Sequence, residues 1–113
     1  MTKKALIIAP TPAPSLFTGN VVLHHHTWYG HIRPVHTDVL LGHVRQAMND
    51  PCNIAESRTV PGDYLLLNTA AVNVGGQILR VPVRDFGGGT NLVTSAYFAD
   101  ATSHRIVWNR GDG

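Results

Sequence analysis

The chain carries a single cysteine, Cys52, among 113 residues, so no intrachain disulfide can form. That suits a reducing cytoplasm, although a secreted chain without disulfides reads the same way. No apolar run approaches the roughly 18 residues of a helical membrane span, so no membrane partner is expected. At the start, two lysines precede ALIIA, a stretch shorter than the about 7–15 residues of a secretory apolar region, and Pro10, Pro12 and Pro14 follow at once. We read residues 1–19 as a short strand or loose arm followed by a stiff, proline-rich connector. Glutamate is nearly missing: Glu56 is the only one. There is no internal repeat, and no low-complexity tract beyond the connector TPAP.

What remains is the composition of one small globular domain, residues 20–110, with 43% hydrophobic and 14% charged residues. Seven of the nine basic residues are arginine and the formal charge is +2. The planar guanidinium grips phosphate in a two-pronged contact, so this bias favours an anionic partner.

Residues 20–23 are β-branched and apolar enough for a short strand. Thr27–Arg33 has room for two helical turns, with Thr27 as cap and Pro34 as stop. A longer helix is expected over Asp38–Asn49, capped by Thr37 and ended by Pro51, with Leu40, Leu41, Val44, Ala47 and Met48 on one buried face. Beyond Pro51, β-prone segments alternate with turn residues: Asn53–Arg58, Tyr64–Thr69, Gln77–Arg84, Leu92–Ala99 and Arg105–Trp108. The separators are Pro61 to Asp63, Asn73 to Gly76, Asp85 to Gly89 and Asp100 to Ser103. Helices followed by strands predict an α+β fold, with N-terminal helices packed on a C-terminal antiparallel sheet of about four strands. Pro82 inside a strand implies an edge position or a bulge.

Histidine stands out. There are seven, and His24, His25, His26, His31 and His36 fall within thirteen residues. Histidine is the side chain best suited to moving protons near neutral pH. A metal site is the competing reading: His24 and His26 would share a strand face, with His31, His36 or Cys52 completing the set. Against it, His31 and His36 are five apart with Pro34 between, unlike a helical HxxxH pair. Cys52 has no nucleophile signature around it and reads as a structural thiol. Gly87–Gly89 reads as a hairpin loop rather than a phosphate cradle.

The segments WYGHIRPVHTDVLLGHVRQAMNDP, SRTVPGDYLLLN, GGQILRVPVRDF and LVTSAYF resemble, in their order, phage-associated nucleases of the barnase–EndoU–colicin–RelE superfamily. The resemblance covers Val21 to Phe98. It departs at Thr37, where the family has proline, and at Leu66, Leu67 and Asn68, where basic residues are common. The resemblance implies a small, toxin-like, metal-independent endoribonuclease that needs no cofactor. It would act in the cytoplasm, its own or that of a target cell. RNA, transfer RNA among the candidates, would be the substrate, and a neutralising immunity or antitoxin protein would be a partner.

In such chemistry a general base takes the proton of a ribose 2′-hydroxyl, which attacks the adjacent phosphorus. A general acid then protonates the leaving 5′-oxygen, and a cation stabilises the charge on phosphate. Carried over by motif, His31 matches the family's H-I and is the first proton-transfer candidate, with His36 as partner or orienter. Arg58 would hold phosphate, and Thr94 or Ser95 with Tyr97 would donate hydrogen bonds from the last strand. Separately, Arg80 and Arg84 share a strand face in a regular strand and could line a substrate-binding patch. Two alternatives stay open: a non-catalytic RNA- or protein-binding module of the same fold, and a His-ligated metal enzyme.

Overall fold

The apolar content of this chain is spread over many short β-prone stretches, and in the computed structural model these gather into one sheet. The structure describes residues 4–58, 60, 62–100 and 105–111. Among the described residues eight strands form: β1 (Ala5–Pro10), β2 (Asn20–His24), β3 (Asn53–Glu56), β4 (Asp63–Val72), β5 (Ile78–Asp85), β6 (Thr90–Val93), β7 (Tyr97–Ala99) and β8 (Arg105–Asn109). They belong to a single sheet ordered β1-β2-β6-β5-β4-β3-β8, with β7 paired to β5. All pairings are antiparallel except β2 with β6, where Asn20, Val21 and Val22 run parallel to Thr90, Asn91 and Leu92.

The expectation of N-terminal helices on a four-stranded, C-terminal antiparallel sheet is therefore corrected. The fold is mainly an eight-stranded mixed sheet, and two of its strands precede every helix. Residues 5–10 form the edge strand β1, and Ala13 and Phe17 of the following proline-rich stretch are buried in the core. The physical reason is the parallel seam. An N-terminal strand can join a distant strand of the same sheet only through a long crossover, and hydrophobic period does not reveal which strands will meet across one.

The helices are short. A continuous helical run follows β2 as α1 (His25–Thr27), a π-helical stretch (Trp28–Ile32) and α2 (Arg33–Val35); α3 (Leu41–Asn49) comes after a turn. The run passes through Pro34 instead of stopping before it. Inside an α-helix a proline ring collides with the carbonyl four residues back, here that of Gly30. The wider π-helical turn around Gly30, in which Arg33 N–H donates to Trp28 O, accommodates Pro34 without ending the run. The second helix starts at Leu41 rather than Asp38, because Val39 N–H donates to His36 O (3.1 Å) and commits Thr37 and Asp38 to a turn.

Val44, Ala47 and Met48 of α3 are fully buried, while Leu40, expected on that face, precedes the helix and is 59% exposed. α3 packs on β4, β5 and β1. Asn68 of β4 fixes it there, its amide donating to His43 O (3.1 Å) and Gln46 Oε1 (3.0 Å). One core runs through the molecule, joining Trp28 and Ile32 with Val21, Leu23, Ile54, Leu66, Leu79, Val81, Val83 and Trp108. Ala55, Leu65 and Leu67 form a small second cluster. Leu66 and Leu67, where the resembling family often has basic residues, thus serve packing. Of the expected turns, Pro61 and residues 101–103 lie outside the described residues. Among the described residues no helix is long and apolar enough to cross a membrane.

Candidate functional site

The geometry of the site begins with Pro82. β5 is an interior strand, flanked by β4 on one side and by β6 and β7 on the other. Thr94 N–H donates to Pro82 O at 3.0 Å, so the residue that would return a bond to Thr94 O is a proline with no N–H. The ladder breaks at that point. β6 ends at Val93, β7 resumes at Tyr97, and Ser95 lies in the interruption. Pro82 is therefore central rather than on an edge, and a break in the neighbouring strand is what it produces. The Thr94 hydroxyl points back to Pro82 O at 3.5 Å.

Ser95 meets the helical run. A hydrogen bond joins His31 Nε2 and Ser95 Oγ at 3.1 Å, its direction set by the imidazole tautomer. His31 sits in the π-helical stretch, flanked by the buried Trp28 and Ile32, which hold its backbone against the core. The His31 and His36 rings meet edge to face with centroids 5.4 Å apart, and His36 lies 5.9 Å from the ring of Tyr97. His31 is exposed, whereas His36, Ser95 and Tyr97 are half-buried. One set thus comprises two imidazoles, one of them bonded to a hydroxyl, and a phenol.

Arg80 stands beside this set. It is the cross-strand partner of Tyr97, and directly opposed residues share a face with Cβ atoms about 4.5–5.5 Å apart. Arg80 is only 8% exposed; one Nη donates to Asp100 O, and its Nε is buried without a partner. The two ion pairs formed among the described residues are Arg84 with Asp63 and Arg110 with Asp50, so this buried guanidinium has no carboxylate to neutralise it. An unpaired buried cation is expensive to keep, and a bound anion would relieve it.

The remaining sequence candidates lie elsewhere. Arg84 forms a two-pronged pair with Asp63, Nε to Oδ1 at 2.8 Å and Nη2 to Oδ2 at 3.1 Å, which holds its pKa above the usual guanidinium value. Four residues along β5 place it about 13 Å from Arg80, so the two do not form one patch. Arg58 is exposed just past β3; its neighbour Ser57 bonds Asp63 O (3.0 Å), which puts it at the Arg84 end of the sheet. The structure therefore unites His31, His36, Ser95 and Tyr97, places Arg80 opposite Tyr97 in the sheet, and leaves Arg58, Arg84 and the Thr94 hydroxyl outside.

Two further clusters involve histidine. His24 and His26 stack with centroids 5.6 Å apart, but among the described residues no three His, Cys, Asp or Glu side chains converge as a metal site requires. His25, Tyr29 and Arg33 form a column along the helical run: the His25 and Tyr29 rings are 5.6 Å apart, and the Arg33 guanidinium lies over Tyr29 at 5.8 Å. The sequence signal for that column is an i, i+4, i+8 spacing. Comparison of the chain with protein-family profiles, curated proteins and solved structures returned no match.

Proposed function

We propose that this protein is a small metal-independent endoribonuclease acting through His31 and His36, in keeping with the nuclease resemblance of its sequence. The observation that carries the reading is the meeting of His31 and His36 with Ser95 and Tyr97, two pairs of side chains from distant parts of the chain, with Arg80, whose buried Nε has no partner, opposite Tyr97 in the sheet.

In this reading one imidazole takes the 2′-hydroxyl proton and the other protonates the 5′-oxygen as it leaves, giving a 2′,3′-cyclic phosphate. Each proton transfer contributes about 10²–10⁴ in rate. Ser95 fixes the His31 ring through Nε2 and so decides which nitrogen faces substrate. Arg80 supplies positive charge behind Tyr97, where the phosphate oxygens gather charge. Arg80 thereby takes the phosphate-holding role that the resemblance gives to Arg58. The need for a 2′-hydroxyl restricts the substrate to RNA, transfer RNA among the candidates, and a nuclease of this kind would call for a neutralising protein partner in the cell that makes it.

The test is incubation of the purified protein with total RNA in excess EDTA. Cleavage should persist in the chelator, leave cyclic phosphate ends, and fall by about 10²–10⁴ in His31→Ala. A wild-type protein that cuts no RNA pool, or a His31→Ala protein that cuts as well as wild type, would remove the reading. In the first case a non-catalytic RNA- or protein-binding module takes its place.

A further inference from the structure

The column of His25, Tyr29 and Arg33 is not used by the chemistry just described. It lies on the same helical run as His31 but on its other flank. Trp28 and Ile32 bury the face between the two flanks, and Tyr29 and His31 are two positions apart, roughly 160–200° about the axis of the run. Between them on the solvent side is Gly30, exposed, with open space where a Cβ would project. The ridge separating the column from the imidazole pair is therefore bare backbone, low enough for a polymer to cross.

Charge adds to the picture. The first acidic residue in the sequence is Asp38; before it stand Lys3, Lys4, Arg33 and five histidines with no carboxylate among them. Lys4 adjoins the column directly, since its carbonyl accepts His25 N–H at 2.8 Å. Arg33 is exposed and belongs to neither ion pair formed among the described residues. Tyr29 is 50% exposed, with its ring between His25 and Arg33. An exposed aromatic ring bracketed by an imidazole and an unpaired guanidinium, with a lysine at one end, matches how proteins bind single strands. Bases stack on the rings while cations follow the phosphates.

We propose that His25, Tyr29 and Arg33 form a stacking subsite for unpaired nucleobases of a single-stranded RNA, whose backbone then crosses Gly30 to the His31–His36 pair. The inference rests on the ribonuclease reading for its choice of ligand, yet base stacking needs no 2′-hydroxyl. The subsite therefore takes a single-stranded DNA that the catalytic pair cannot cleave, which separates binding from chemistry. It also disfavours a duplex, whose bases are already stacked on one another.

The experiment measures fluorescence anisotropy of a labelled, short oligodeoxythymidine, of its abasic counterpart and of a duplex, with the full-length protein. Wild type should bind the intact strand more tightly than either of the others. Tyr29→Ala should weaken the intact strand by about 5- to 10-fold, the low end for one base–aromatic stack, and should leave the abasic strand unchanged. Tyr29→Phe, which keeps the ring, should retain binding, and Arg33→Gln should reduce both binding and its salt dependence. Equal wild-type affinity for intact and abasic strands overturns the proposal without relying on any variant. So does a Tyr29→Ala protein, folded by circular dichroism, that binds like wild type. If RNA cleavage fails while these binding results hold, the catalytic reading falls and the stacking subsite stands.

Discussion

Replacing Gly19 with alanine should damage this fold far more than the size of a methyl group suggests. Gly19 has φ +86°, and a Cβ there would lie 1.9 Å from Gly89 O and 2.5 Å from both Gly89 C and Cα. The left-handed backbone alone penalises a non-glycine residue by about 1–2 kcal/mol. The reduced freedom of the unfolded chain offsets about 0.4–1 kcal/mol of that, leaving a loss near 1 kcal/mol before any clash. Relieving the overlap means parting two backbones by roughly 1.5 Å to reach ordinary contact. The Asn20 N–H to Gly89 O bond, now 2.9 Å, would then break. The Asn91 amide, which donates to Thr18 O (2.8 Å) and Asn20 O (3.0 Å), would be pulled with it. One or two lost bonds at about 0.5–1.5 kcal/mol each bring the total to about 2–3 kcal/mol.

With about 2.1 cal/mol/K of unfolding entropy per residue over 113 residues, that total lowers Tm by about 8–13 °C. Gly76→Ala is the matched control, because Gly76 has φ +79° and nothing within 4 Å of a built Cβ. It should lose only about 4 °C, the backbone share alone. Thermal melts followed by circular dichroism, with urea titrations for the free energies, measure both variants. Equal losses in the two proteins would refute the close approach of the segments around Gly19 and Gly89, and with it the account of how β2 is seated on β6.

Three other outcomes follow from contacts already described. Asn68→Ala removes two bonds to α3 and a third from Ala70 N–H to Asn68 Oδ1 (3.1 Å); urea unfolding should show a loss of about 2–3 kcal/mol, and a loss under 0.5 kcal/mol would mean that α3 is held by its apolar face alone. Pro82→Ala restores an N–H opposite Thr94 and should close the β5–β6 ladder, raising stability by up to about 1 kcal/mol while displacing Ser95 from His31 and lowering RNA turnover; unchanged turnover would detach the strand break from the site. At Cys52, burial pushes the thiol pKa up, but hydrogen bonds from Thr69 and the Ala70 backbone, together with the Arg110 charge, outweigh it and leave the pKa below the usual value of 9.0. The stabilisation this gives is complete only above the usual thiol pKa and fades as pH falls through the lowered one. Iodoacetamide labelling should accordingly reach half its limiting rate at lower pH than for a free thiol, and Thr69→Val should move that midpoint upward; an unmoved midpoint would assign Thr69 no role.

The parts of the structure that could be read from sequence are those set by neighbours along the chain. Each segment expected as a strand after Pro51 overlaps one, because apolar alternation and turn residues act within a few positions, but Leu92–Ala99, expected as one strand, is split between β6 and β7. Val44, Ala47 and Met48 are buried for the same local reason. The order of strands was out of reach. The β2–β6 seam depends on two glycines 70 positions apart in close approach and on the Asn91 amide binding Thr18 and Asn20, and none of these carries a periodic signal. The histidine candidates were visible as types, and motif resemblance pointed to Ser95 and Tyr97. That Arg80 rather than Arg58 or Arg84 stands beside them follows from strand register, which no local pattern encodes. The π-helical turn was likewise hidden, since Pro34 alone announces a stop, and neither the wider turn around Gly30 nor the burial of Trp28 and Ile32 carries a local sequence signal.

The His31–Ser95 bond spans 64 positions of sequence, and this has a bearing on biosynthesis. At about 5–20 residues per second, a ribosome that has just added His31 needs about 3–13 s more to add Ser95. Throughout that interval the nascent chain holds imidazoles with no hydroxyl to orient them and a β2 with no β6 to lie against. A polypeptide interrupted anywhere in that interval carries His31 and His36 without Ser95 or Tyr97. The two halves of the cluster therefore meet only after the whole of β3 to β6 has been made.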